Sequence, residues 1–303
     1  MIQHKMKFHK YLLISTILCL NINLRAESYN YESEIGYESY KSNDQTRKIS
    51  SKIGIKYFPT ELIFDNASPF TELAFIQRKS SYSFSMAKMQ FQDSNFLQTQ
   101  VPIIGFGIRA NDADILLEIN YNQSDKNYPL KTDQTQYYDV KSKSYEINYG
   151  WYVLEKTLLG LSAGKKIVSY NPGPGLTTIN DSQRSSNGLI LHSIIDLFRD
   201  QKLVVDLAFK LEKSQLQNQS TPENQTKVIK VKYFPVPDFY FLGGGAKSVG
   251  DDNLYVGNSK NFGIGYAPRS NLNFLISREM FTINNSNLGA SHRNTFVSVN
   301  YKF

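Results

Sequence analysis

Ser186 is the residue with the clearest potential for nucleophilic chemistry, because it begins the tripeptide Ser186-Asn187-Gly188. A serine hydroxyl attacks an ester when a neighbouring base, most often a histidine, takes its proton. The position two before Ser186 is Arg184, and His192 follows six residues later, which in a strand places it at a different level. Ser186 therefore lacks a base in the sequence, and a simple loop exit is the preferred interpretation of the tripeptide.

The same tripeptide resembles part of the His-x-Ser-Asn-Gly motif of the outer-membrane phospholipase A family, with Arg184 where the family has a histidine. That resemblance implies a lipase with Ser186 as its nucleophile. Proteases of the omptin family use acidic pairs and an Asp–His couple, and Asp251-Asp252 lies in a predicted outer loop. Neither His192 nor His292 has an acidic neighbour in the sequence, so no Asp–His couple is predicted. We predict that the protein is not an enzyme.

Metal and cofactor chemistry has few candidate residues. The single cysteine, Cys19, lies near the N-terminus, and only His192 and His292 lie beyond residue 26 among the histidines. The loops do not have the acidic spacing of a calcium-binding EF-hand. The run 243–245 is Gly-Gly-Gly but lacks the Lys-Ser/Thr pair and the helix of a phosphate-binding loop, so glycines packed under neighbouring side chains in a strand are preferred. The sequence predicts no metal and no cofactor.

The first 26 residues have the organisation of a secretory signal peptide. Lys5, Lys7 and Lys10 precede an apolar run at 11–20, and Leu24-Arg25-Ala26 is a candidate cleavage site. An apolar run of this length is too short to cross a bilayer as a helix, which needs about 20 residues. We therefore predict a signal peptide at 1–26 and one domain at 27–303.

Composition beyond the predicted signal peptide argues for strands in a membrane. No later stretch approaches the length of a transmembrane helix. The formal net charge of +7 falls to +3 without Lys5, Lys7, Lys10 and Arg25, which leaves 30 basic against 27 acidic residues. Because nucleic-acid binding needs a concentrated basic patch, no nucleic-acid partner is predicted. The 20 tyrosines and 19 phenylalanines are typical of aromatic girdles at membrane interfaces.

Alternating segments of about ten residues recur between clusters of Asn, Asp, Ser, Gly and Pro. In residues 144–153, for example, Tyr145, Ile147 and Tyr149 alternate with Glu146 and other small or polar residues. The pattern predicts about 14 strands, one of them at 69–85. The range is 12 to 16, because residues 70–92 fit either one long strand or two shorter ones. The predicted fold is an all-β, transmembrane, antiparallel up-and-down β-barrel.

The predicted connections alternate between short and long. Asn111-Asp112 and Glu155-Lys156 are tight turns, whereas residues 125–138 and 171–185 form longer loops. Outer-membrane barrels place short turns at the periplasmic rim and long loops outside, so both chain ends are expected at the periplasmic rim. The segment 59–69 is unusually long for a periplasmic turn.

The C-terminus ends in an alternating strand, with Val299, Tyr301 and Phe303 on one face and Asn300 and Lys302 on the other. This ending resembles the closing strand and assembly signal of bacterial outer-membrane β-barrels, where one face meets lipid and a terminal Phe lies at the interface. The resemblance implies location in the outer membrane, contact with its lipids, and recognition of Val299, Tyr301 and Phe303 by the barrel-assembly machinery.

In size and strand pattern, residues 27–303 resemble monomeric porins of the outer-membrane protein G type. The resemblance implies passive diffusion of small hydrophilic solutes or ions through the barrel. The residues expected to line the pore are charged and face inward on the predicted alternation. They are Lys48, Lys52, Lys56, Glu118, Glu146, Asp206, Lys210, Glu212, Lys230 and Lys232. Such facing charges predict either a wet pore with weak anion preference or ion pairs that close it.

A non-conducting barrel is the alternative function. Such a barrel is structural, or it binds a partner through outer segments such as residues 126–138, which are rich in tyrosine. The lipase interpretation of Ser186 is a further alternative. Conductance of the refolded protein distinguishes the first two, and esterase activity tests the third.

Overall fold

The structure is a computed structural model that describes residues 28–42, 47–64, 68–92, 99–112, 114–129, 137–173, 176, 181–198, 200–216, 219–220, 223–250, 255–269, 271–285 and 288–303. The predicted signal peptide and the pair Asp251-Asp252 lie outside these residues, and the side chain of His292 is likewise not described.

Antiparallel strands make up nearly all of the described chain. The strands are β1 (Ser28–Ser42), β2 (Arg47–Ile63), β3 (Ser81–Gln92), β4 (Thr99–Asn111), β5 (Ile115–Pro129), β6 (Tyr137–Leu154), β7 (Thr157–Pro172), β8 (Ser182–Asp196), β9 (Lys202–Leu216), β10 (Gln219–Ser220), β11 (Asn224–Val236), β12 (Phe239–Gly250), β13 (Tyr255–Arg269), β14 (Leu272–Asn285) and β15 (Leu288–Lys302). One short helix, α1 (Leu73–Ile76), lies between β2 and β3.

The sheet closes on itself. Each long strand pairs with the next one along the chain, and β15 pairs with β1 from the Glu32–Lys302 pair to the Ser42–His292 pair. The two-residue β10 pairs only with the end of β9, and β9 continues the wall to β11. Fourteen long strands therefore form the wall, which confirms the predicted up-and-down barrel and its strand number.

The alternation in the sequence determines which side chains face out. On β2, Ile53 is 64% exposed on the outer face, whereas Lys52 and Lys56 belong to the inner face. No second sheet of the described residues covers the outer face, so the exposed apolar side chains form the surface that meets lipid. Among the described residues, no helix has the length and apolar character needed to cross a bilayer.

The predicted strand at 69–85 is wrong. Residues 68–80, which we call the plug segment, leave the wall after β2 and return to it at Ser81. Pro69 lacks the N–H group that a strand ladder needs, and Phe70, Leu73 and Ala74 have the i, i+3, i+4 spacing of a helical face. The tendency to form a helical turn therefore overrides the strand pattern at this point.

The predicted loops at the end of the barrel away from the chain termini are longer than those in the structure. β5 continues to Pro129 and β6 begins at Tyr137, so much of 125–138 is strand. Ser186 is also within a strand, β8, and not at a loop exit. Polar residues on both faces of these strand ends resemble loop sequence, which explains the error.

Candidate functional site

The plug segment crosses the interior of the barrel at the end where the chain termini and short turns lie. It starts and ends between β2 and β3, and its side chains reach β8 and β11, which lie on the opposite side of the fourteen-strand ring. Glu72 at its centre is only 6% exposed. The lumen is therefore occupied at this level by a segment of the chain itself.

Local hydrogen bonds give the plug segment a compact shape. The Glu72 N–H donates to the carbonyl of Pro69 at 2.9 Å, and the Gln77 N–H donates to that of Leu73 at 2.9 Å. Arg78 then adopts a left-handed conformation, with φ of 50°, which reverses the chain after α1. The Gln77 side-chain oxygen accepts from the backbone N–H of Ile63 at 3.0 Å, which holds the end of the plug segment against β2.

Two phenylalanines anchor the plug segment in an apolar cluster on the opposite wall. Phe70 and Phe75 are each 5% exposed. The Phe70 ring lies 5.9 Å from that of Tyr240, and the Phe75 ring lies 5.3 Å from that of Tyr152. Because these wall residues are on β12 and β6, the apolar contacts extend across much of the interior.

Glu72 forms the main charged contact of the plug segment. Its Oε1 lies 2.6 Å from Lys232 Nζ, and its Oε2 lies 3.6 Å from His192 Nε2. Burial alone would raise the pKa of the Glu72 carboxyl, but Lys232 and, to a smaller extent, His192 more than offset it and lower the pKa to about 2. Glu72 is therefore a carboxylate at every pH at which the protein is expected to work.

His192 has the acidic partner that the sequence did not reveal. Its Nδ1 lies 2.5 Å from Asp206 Oδ1, and its ring lies 4.1 Å from that of Phe75. The two residues occupy directly opposed positions on β8 and β9. The expectation that His192 lacks an acidic neighbour is thus wrong, because the pairing arises from strand register and not from proximity in the sequence.

The His192–Asp206 pair serves the plug segment and not Ser186. Both Ser186 and His192 lie on β8, six residues apart, which corresponds to roughly 20 Å along a strand. His192 faces Glu72 and Asp206 at the plug segment. Ser186 and His192 therefore do not form the nucleophile and base of a hydrolase.

Two further basic residues attach the plug segment to the wall. Lys302, which is 4% exposed, donates from Nζ to the backbone carbonyl of Phe70 at 2.7 Å. The Arg78 guanidinium lies 4.2 Å from the ring centre of Tyr152 and 3.6 Å from Asp114. With Glu72 on Lys232, these contacts hold the plug segment to strands on several sides of the barrel.

A cavity of about 400 Å³ lies inside the wall next to β1–β6, and its lining is polar and charged. Lys52 and Lys56 contribute to this lining, and Lys52 Nζ lies 2.8 Å from Glu34 Oε2. A second cavity, of about 230 Å³, is lined by residues of the plug segment, β1, β11, β12, β14 and β15, among them Phe70 and Lys302. The plug segment therefore leaves open space on one side of the lumen.

Other predicted pore residues form ion pairs inside the barrel. Glu118 Oε1 lies 2.7 Å from Arg109 Nε. Glu146 Oε1 lies 2.9 Å from Lys210 Nζ, although two strands separate β6 from β9 in the wall. Such a contact requires both side chains to project into the interior.

The remaining predicted pore residues are placed by strand register. Lys230 on β11 lies directly opposite Asp206 on β9 and is exposed, and Lys232 contacts Glu72. Glu212 shares the inward alternation of Lys210. Lys48 lies in β2, but its side chain is outside the described residues. Whether these side chains line a conducting path stays a prediction.

The C-terminal residues predicted as an assembly signal lie on the outer face next to β1. Phe303 is 51% exposed, and its ring stacks on that of Tyr31 with centroids 5.5 Å apart. The backbone N–H of each of these two residues donates to the carbonyl of the other at 2.8 Å. Val299 and Tyr301 share the same alternation on β15, which forms the closing seam of the barrel.

No protein-family model matches the chain, and no curated protein matches it in sequence. Among solved structures, the Acinetobacter baumannii outer-membrane protein Omp33 matches 91% of this chain and 99% of its own, with 10% identity and a TM-score of 0.53. The monoaromatic hydrocarbon channel CymD matches 91% and 89%, with 8% identity and a TM-score of 0.55. The toluene transporter TbuX of Ralstonia pickettii matches 91% and 90%, with 9% identity and a TM-score of 0.53.

The likeness to these structures lies in the fold. Together with the closed sheet and its exposed apolar outer face, it identifies the chain as a β-barrel of the bacterial outer membrane. These observations agree with the outer-membrane location that the C-terminal strand predicts.

Proposed function

We propose that this outer-membrane barrel is a channel for the passive diffusion of small hydrophilic solutes or ions, closed at rest by the plug segment. The observation that carries the proposal is the division of the lumen into two levels. One level has a polar cavity of about 400 Å³, and the other holds the plug segment against the wall. A polar cavity of this kind suits hydrated solutes.

The charge arrangement of the polar level changes the expected selectivity. Two of its charged pairs are Glu34 with Lys52 and Glu146 with Lys210, and Glu118 pairs with Arg109 elsewhere in the lumen. Opposite charges at hydrogen-bond distance cancel much of the field that would attract one sign of ion. We therefore favour an almost unselective pore over the weak anion preference that the sequence predicts.

The contacts that hold the plug segment in the lumen can break without disrupting the wall. The plug segment is held by ion pairs, ring contacts and a few hydrogen bonds, and it contributes no rungs to the ladder between β2 and β3. It could therefore leave the lumen while the hydrogen bonds of the wall remain.

The structures similar to this chain include a hydrocarbon channel and a toluene transporter. These likenesses support a channel or transporter among the functions that the fold can carry, and the polar interior favours hydrophilic solutes for this chain. The same interior does not place Ser186 beside a base, so we propose no enzyme activity. We further propose that Val299, Tyr301 and Phe303 bind the assembly machinery.

Planar-bilayer recordings of the refolded protein test the proposal. The first variant replaces residues 69–79 with a short Gly-Ser turn, which removes the plug segment without changing a wall strand. We expect small or rare steps from the parent protein and larger, frequent steps from this variant. A matched control shortens the connection between β5 and β6 at 130–136, and we expect its conductance to stay near that of the parent.

A non-conducting barrel is the second candidate function, favoured by the burial of Phe70, Glu72 and Phe75 in the lumen. In that case the variant without the plug segment conducts ions, whereas the parent shows no conductance at any voltage or salt concentration. A silent variant that still shows the heat-dependent gel shift of a folded barrel would contradict the channel proposal altogether.

A further inference from the structure

Five basic side chains project outward from five consecutive strands in the half of the barrel away from the chain termini, with Arg278 at the middle of its strand. They are Lys227 on β11, Lys247 on β12, Lys260 on β13, Arg278 on β14 and Arg293 on β15, and we call them the basic patch. All five are exposed. Since neighbouring strands are about 4.8 Å apart, the basic patch extends over roughly 20 Å of the outer wall.

The strand register brings these charges next to one another. Lys227 and Lys247 are directly opposed on β11 and β12. On β13, Lys260 lies two residues from the residue that pairs with Lys247. On β14, Met280 pairs with Lys260, and Arg278 lies two residues from Met280. Directly opposed like charges destabilise a sheet. The arrangement is therefore unfavourable unless an anion lies over it.

Acidic neighbours are missing from this part of the wall. Among the described residues of β11 to β15, the only acidic side chain is that of Glu279. It follows Arg278 directly on β14 and therefore faces inward, whereas Arg278 faces outward. No ion pair joins a basic-patch residue to an acid in the part of the chain that the structure describes, and Asp251-Asp252 lies outside that part. Elsewhere on the outer wall, Lys141 lies 3.6 Å from Asp125.

An apolar surface begins directly beside the basic patch on the same outward face. Ile229, Phe262, Ile264 and Ile276 are each between 45% and 55% exposed. Along their own strands they lie two to four residues from the basic side chains, toward the periplasmic rim, and Phe262 is directly opposed to Arg278. A ligand that fills both surfaces must carry negative charge at one end and hydrocarbon at the other.

We propose that the basic patch binds the phosphate groups of a phosphorylated glycolipid of the outer leaflet, with the lipid's acyl chains on the apolar surface below. Lysine and arginine near a membrane surface attract anionic headgroups, and arginine matches phosphate with two parallel hydrogen bonds. The site is on the outside of the wall, so it does not depend on whether the lumen conducts.

The test uses the full-length mature chain folded in an uncharged detergent and titrated with lipid A, with bound lipid counted by native mass spectrometry. Lys227→Gln/Lys247→Gln removes one directly opposed basic pair from the outer face. The matched control is Lys166→Gln/Arg184→Gln, which removes a directly opposed basic pair with inward alternation on β7 and β8. We expect lipid A affinity to fall about 30-fold in the first variant and to stay unchanged in the control.

Two comparisons complete the experiment. Inorganic phosphate at the same phosphate concentration should not displace lipid A, and phosphatidylethanolamine should bind no more tightly to the parent than to the Lys227→Gln/Lys247→Gln variant. Without lipid, that variant should unfold at a higher temperature than the parent, because the repulsion between Lys227 and Lys247 is gone. If it fails to fold, Lys260→Gln gives the same comparison with one charge. Equal lipid A affinity in parent, patch variant and control would overturn the proposal.

Discussion

Glu72 and Lys232, which are 160 positions apart in the chain, meet inside the barrel with 2.6 Å between Oε1 and Nζ. Their contact joins the segment after β2 to β11 on the far side of the wall. Glu72 is deeply buried, and Lys232 is partly so. Removing one partner of such a pair leaves the other charge uncompensated.

Glu72→Gln should favour the open channel. The amide keeps the shape of the side chain but loses the ion pair with Lys232, which weakens the docked plug segment by about 3 kcal/mol and raises the ratio of open to closed channels about 100-fold. Single-channel recording measures that ratio directly. The control is Glu61→Gln, since Glu61 is exposed on β2, the strand that precedes the plug segment. Equal open times in all three proteins would contradict a closing role for Glu72.

Phe75→Ala should admit larger solutes. The Phe75 ring contacts His192 and Tyr152, and replacing a buried phenylalanine with alanine costs about 3 to 5 kcal/mol of packing. The loss affects the docked plug segment, so swelling rates of liposomes in sugars of increasing size should rise. Phe241→Ala, which shortens an outward side chain, should leave these rates unchanged. A size limit unaffected by Phe75→Ala would place the constriction elsewhere.

Lys52→Glu/Lys56→Glu should shift the channel toward cations. The substitution puts a second carboxylate beside Glu34 and adds negative charge to the lining of the larger cavity. Reversal potentials in a salt gradient give the sign and size of the shift. Lys88→Glu on the outer face is the control. Lys232 is best left unchanged in this series because it also holds the plug segment.

Mild acid should not open the channel through Glu72. The pKa of its carboxyl is lowered to about 2, so its contribution to docking is complete above the ordinary carboxyl range near pH 4.5 and is lost only as the pH falls toward 2. Open probability should therefore not increase between pH 7 and pH 5. An increase that persists in Glu72→Gln would show that a group other than Glu72 controls the response to pH.

Deleting Phe303 should reduce insertion into the outer membrane. The deletion removes two backbone hydrogen bonds to Tyr31 and a ring stack at the β1–β15 seam. The fraction of protein that shows the heat-dependent gel shift in isolated outer membranes measures insertion. Phe303→Tyr retains the bonds and the ring and should insert normally. Normal insertion of the deleted chain would mean that the assembly machinery reads another feature.

The wall of the barrel could be predicted from sequence because its signal is local. Alternation in segments such as 144–153 determines which side chains face lipid, and the same parity explains why Lys52 and Glu146 project inward. Strand ends were harder to place, since outside the bilayer both faces are polar and the alternation disappears.

The plug segment could not be predicted from the alternation of apolar and polar residues. Residues 70–76 contain as many apolar side chains as a strand, but their spacing at Phe70, Leu73 and Ala74 is helical, and Pro69 precedes them. That spacing was the available signal. The partners of Glu72 and His192 depend on strand register across the barrel, which no stretch of the sequence specifies by itself.

The path of the plug segment has a consequence for the order of folding. Residues 68–80 follow the second strand, yet Lys232 belongs to β11 and Lys302 to the final strand. A chain that has folded only as far as β9 offers the plug segment His192 but neither lysine. Such contacts between distant positions in the chain close large loops and form late. The plug segment can therefore make its full set of contacts only after β11 and β15 have joined the wall, so the closed lumen is a property of the completed barrel.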